Sequence, residues 1–130
     1  MLTRRLIPAP VIAACAEIVS QRETHASLDS LFMHAGALGD PPEGSNWVKA
    51  QEWLRRVNRD ESSEPLRVLG RIVEAYMEER PPEAGYLNGS GGAETPYQEK
   101  IRKALARYEL QYVRGGSITG MLAAPSRTLE

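Results

Sequence analysis

This sequence predicts a mainly α fold, a compact bundle of about five helices closed by a C-terminal two-stranded β-hairpin with a winged-helix-like order. Three observations carry that expectation. Apolar residues recur every three or four positions through five separate stretches. Capping and turn residues fall between those stretches, where helix ends need them. Beyond Leu110 the apolar pattern changes to alternation around Gly115-Gly116, which is a strand signal. The 130 residues are read as one domain, 1–130, forming the N-terminal part of a longer protein.

The first helix starts at Pro10, whose missing N–H is harmless in a first turn, and it turns Val11, Cys15, Ile18 and Val19 to one face. Thr24 or Ser27 caps the second, with Leu28, Leu31, Phe32 and Ala35 inward and Gly36 as its stop. Residues 39–44, rich in Gly and Pro, form a loop. Ser45 or Asn46 caps the third helix. Trp47, Ala50, Trp53, Leu54 and Val57 are read inward, and Lys49, Glu52, Arg55, Arg56 and Arg59 outward. After a break at 58–63 the fourth helix opens near Pro65. Its stripe is Leu66, Leu69, Ile72, Val73, Tyr76 and Met77, with Glu74, Glu78 and Glu79 outside.

Residues 81–94 are expected to be a flexible surface loop, because Gly, Pro and Ser there cannot offset the entropy of ordering. Thr95-Pro96-Tyr97-Gln98 reads as a capping box that opens the fifth helix, with Tyr97, Ile101, Leu105 and Tyr108 inward. The hairpin then pairs 110–114 with 117–121 across a two-residue Gly115-Gly116 turn. In that register Val113 opposes Ile118 and Leu110 opposes Met121.

Composition narrows the functional classes. Apolar residues make up 42% and charged residues 25%, with a formal charge of −1, so no global field draws the chain to nucleic acid or acidic lipid. No apolar run approaches the roughly 20 residues that cross a bilayer. The Arg4-Arg5 start imitates a signal peptide, but Pro8, Pro10 and Glu17 interrupt the pattern. Cys15 is the single cysteine, which fits a reducing cytoplasm and excludes an internal disulfide.

Candidate chemistry is sparse. His25, Asp29 and His34 are the sparse beginnings of a metal site or a small enzyme, short of the three or four supported ligands zinc requires. Carboxylates at 60–64 and 78–83 sit beside loops, where solvation makes them alike rather than splitting them into acid and base. The glycines of 88–92 lack the following Lys-Ser/Thr of a phosphate cradle. No cofactor or metal is expected, and Cys15 is read as a buried thiol. Two binding surfaces remain. Trp47 stands on a different edge of its helix from Trp53, placed for a partner contact. Lys100, Lys103 and Arg107 share a face of the fifth helix, and Arg114 lies in the hairpin that follows. Helix then hairpin is the order of a recognition helix and its wing, so DNA or RNA is the alternative ligand.

Three groups of residues also carry a family likeness: Trp53-Leu54-Arg55-Arg56-Val57-Asn58; Pro65-Leu66 with Leu69-Gly70; and Leu110 to Gly116 with Ser126-Arg127-Thr128-Leu129-Glu130. With these, nearly the whole chain resembles the N-terminal helical region of bacterial abortive-infection (Abi) phage-defence proteins. The resemblance implies a non-enzymatic cytoplasmic module for sensing or assembly. It also implies an attached or separate effector domain as partner, with self-association as a further possibility, and it assigns no catalytic residue.

Overall fold

The computed structural model describes residues 5–79 and 94–121. The loop expected at 81–94 lies outside them apart from Glu94, as does the 126–130 segment of the resemblance. Five helices and one hairpin are present among the described residues. These are α1 (Ala9–Arg22), α2 (His25–Ala35), α3 (Asn46–Arg59), α4 (Pro65–Met77) and α5 (Pro96–Ala106), followed by β1 (Leu110–Val113) and β2 (Ser117–Gly120). None of the helices is long and apolar enough to cross a membrane.

The helix ends follow local chemistry. The hydroxyl of Thr24 accepts from the Ser27 N–H at 3.1 Å, and Ser27 returns the bond to the Thr24 N–H at 2.9 Å, so Thr24 is the cap. Ser45 caps α3. Gly36 ends α2 at φ +101°, a conformation that favours glycine. Gln98 closes the α5 capping box and also reaches across. Its Nε2 donates to the carbonyls of Tyr76 at 2.9 Å and Glu79 at 2.7 Å, so one buried amide satisfies the start of α5 and the end of α4.

The core forms where the five stripes meet. α1 lies against α3 and α5, and Val19, Phe32, Trp53, Leu54, Ile72 and Leu105 are fully buried. The rings of Phe32 and Trp53 stack with centroids 5.1 Å apart, while Trp53 Nε1 donates to the Leu38 carbonyl. Cys15 is buried as expected, and desolvation pushes its thiol up to about 12, so it stays protonated and unreactive at neutral pH.

Five expectations need correction. Lys49 is buried, not outward: it lies on the same face as Trp53, one turn away, and its Nζ meets Asp29 Oδ1 at 2.8 Å. Arg56 folds back, its Nη1 donating to the carbonyls of Leu38 and Asp40. Trp47 is 47% exposed rather than inward, and Tyr108 is exposed because α5 ends at Ala106. Glu109, at φ +59°, then redirects the chain into β1. The hairpin register also differs by one residue. Tyr112 opposes Ile118 and Leu110 opposes Gly120, because the turn holds three residues, Arg114 to Gly116.

Candidate functional site

The hairpin lies along α4, and three contacts fix it there. Gly116 meets Gly70, where a Cβ on the helix would come 2.2 Å from the Gly116 carbonyl oxygen. The Tyr112 hydroxyl and the Gly115 N–H both donate to Glu78 Oε2, at 2.5 and 2.6 Å. These two bonds hold the Glu78 carboxyl below the usual carboxylate range, the Gly115 bond contributing most, and Arg114 adds a smaller effect in the same direction. Burial first and the Glu78 bond second push the Tyr112 phenol up. β2 therefore starts beside the middle of α4, where Ser117 meets Gly70.

Beside β2, at the start of α4, opens a groove of about 830 Å³. Its three sources are far apart in sequence. Arg5 comes from the N-terminal stretch, where Ile7 exchanges two backbone bonds with the Asn58 amide and so fixes the chain. Pro65, Leu66, Arg67 and Arg71 come from α4, and Ser117, Ile118 and Thr119 from β2. No β1 residue lines it, so the groove lies on the side of β2 away from β1, an edge that no other strand pairs among the described residues. The Met121 N–H donates to the Glu109 carbonyl, which sets the phase of the ladder. With that phase, the N–H and C=O of Ile118 point away from β1. The groove thus combines a strand edge unpaired among the described residues, an apolar floor and guanidinium donors. Two adjoining recesses of about 280 and 470 Å³ share Arg71 with it.

The residues singled out from sequence lie elsewhere and are only partly grouped. Lys100 pairs with Glu17 of α1 at 3.1 Å and Lys103 with Glu99 at 3.0 Å, and Arg102 beside them pairs with Glu94. Arg107 caps α5 with no carboxylate among the described residues within 4 Å. Arg114 is exposed in the hairpin turn near Glu78. Trp47 is at the start of α3 and lines none of these recesses. His25 and His34 are exposed, and Asp29 between them is engaged by Lys49. Among the described residues, no three His, Cys, Asp or Glu side chains gather as a metal-binding group.

Comparison with protein-family models, with curated proteins and with solved structures found no match to this chain.

Proposed function

We propose that this chain is a non-enzymatic interaction domain that docks an extended segment of a partner protein along the groove between α4 and β2. The observation that carries the reading is the open edge of β2 beside that groove. Strand addition supplies affinity through main-chain bonds and selectivity through alternate side chains. The resemblance to Abi proteins gives the reading a setting: a cytoplasmic phage-defence protein whose effector domain, attached or separate, is sensed or regulated through this module.

Nucleic-acid binding through Lys100, Lys103, Arg107 and Arg114 draws less support. Two of the four cations already face carboxylates, and the hairpin tip rests on α4 rather than standing clear as a wing. The docking reading is tested by amide NMR with a blocked octapeptide of alternating threonine and valine. The Ile118 amide is expected to shift and to gain exchange protection. The same peptide N-methylated at alternate residues is expected to leave it unmoved. Shifts confined to the α5 face, or no shifts, would sink the reading.

A further inference from the structure

We propose that the groove selects an acidic segment, with Arg71 as the central carboxylate receptor and Arg67 and Arg5 beside it. The inference rests on the docking reading and names its ligand. Arg71 lines the groove and both adjoining recesses, one of them together with Glu74, and it forms no ion pair within 4 Å among the described residues. Its aliphatic stem passes the hairpin tip at Gly116, where the Glu74 carboxylate also lies. Arg67 meets Glu64 at 3.7 Å with both side chains 71% exposed, a surface pair that an incoming carboxylate can replace at little loss. A planar guanidinium receives a carboxylate through two parallel bonds, which lysine cannot do.

Spacing matches as well. Arg67 and Arg71 are one turn apart, a rise of about 6 Å along α4. Alternate residues of an added strand lie about 6.8 Å apart on one face. A segment added at the free side of β2 and following α4 would present acidic residues at alternate positions to both arginines. The residues between would point to the opposite face of the added strand, away from α4.

Charge also separates this occupant from its rivals. Glu61 and Glu64 line the same groove, so its positive excess is small and suits discrete carboxylates better than a continuous phosphate backbone. A second copy pairing edge to edge would set Arg67 and Arg71 against their own images.

The test compares two blocked octapeptides by titration calorimetry. One alternates glutamate with valine, and the other has glutamine in place of each glutamate. The glutamate peptide is expected to bind about tenfold more tightly, an advantage that shrinks with salt and disappears in Arg71→Gln. Equal affinity of the two peptides overturns the acidic-segment inference while leaving the docking reading in place. If neither peptide binds, both readings fall. A glutamate preference that survives in Arg71→Gln and in Arg67→Gln/Arg71→Gln overturns the assignment of the receptor. Displacement of the glutamate peptide by a single-stranded oligonucleotide, or by dimerisation of the chain, overturns it in favour of those partners.

Discussion

The ammonium of Lys49 and the carboxylate of Asp29 form the most enclosed ion pair among the described residues, and its two halves are not equivalent. The Lys49 side chain is 7% exposed and that of Asp29 is 30% exposed. Removing Asp29 leaves a buried charge without a partner, whereas removing Lys49 leaves a carboxylate that water still reaches. Asp29→Ala is therefore expected to cost about 3 kcal/mol. Lys49→Met should cost about 1 kcal/mol or less, since its chain still fills the space. Urea melts of the two variants decide this, and equal losses would contradict it. The sequence misplaced Lys49 for a physical reason. Its spacing from Trp53 belongs to the buried face, but an ammonium is placed inside only when its counter-charge is known, and Asp29 lies twenty residues away on another helix. Gln98 was legible as a capping-box residue, while its reach to the end of α4 was not.

At the scale of elements, the contact between α4 and the hairpin was the part least visible beforehand. A glycine in a helix interior lowers stability by roughly 1 kcal/mol against alanine, so Gly70 is retained for close approach rather than for helix formation. Gly70→Ala should improve the isolated helix and still destabilise the protein, by about 2 kcal/mol, because the new Cβ meets backbone that cannot rotate away. Faster amide exchange in β1 and β2 than in α1 and α3 would mark the hairpin as the part released. An unchanged or raised Tm would refute the assignment. The second link, Glu78, makes this docking sensitive to acid. Its carboxyl titrates below the usual range in the folded chain. It therefore contributes stability at pH above the ordinary carboxylate value, and that contribution is lost as pH falls through the folded one. Protection of the Gly115 amide is expected to fall with acidification below about pH 4.3. In Glu78→Gln that pH dependence should flatten, and a steep dependence retained in the variant would refute the assignment. The two-residue turn expected from Gly115-Gly116 became three residues because Tyr112 and Gly116 are held on α4. A one-residue slip would turn Tyr112 away from Glu78.

For the whole molecule, the helices and their caps were readable because apolar spacing and capping are local. The groove was not readable, because Arg5, Arg67, Arg71 and Ile118 form no motif and meet only after α3, α4 and the hairpin have packed. The basic residues of α5 gave the stronger local signal, yet folding divides them between two tasks. Lys100 reaches Glu17 and joins α5 to α1, whereas Lys103 pairs within its own helix and Arg107 faces solvent. Charge reversal should separate these tasks. Lys103→Glu with Arg107→Glu is expected to change stability by no more than about 0.5 kcal/mol, as exposed sites do, and to leave peptide docking in the groove intact. Lys100→Glu sets like charges against each other between α1 and α5 and should lower the urea midpoint measurably more than the double reversal. Loss of peptide affinity in the Lys103/Arg107 double variant, with its urea midpoint unchanged, would return the binding surface to α5.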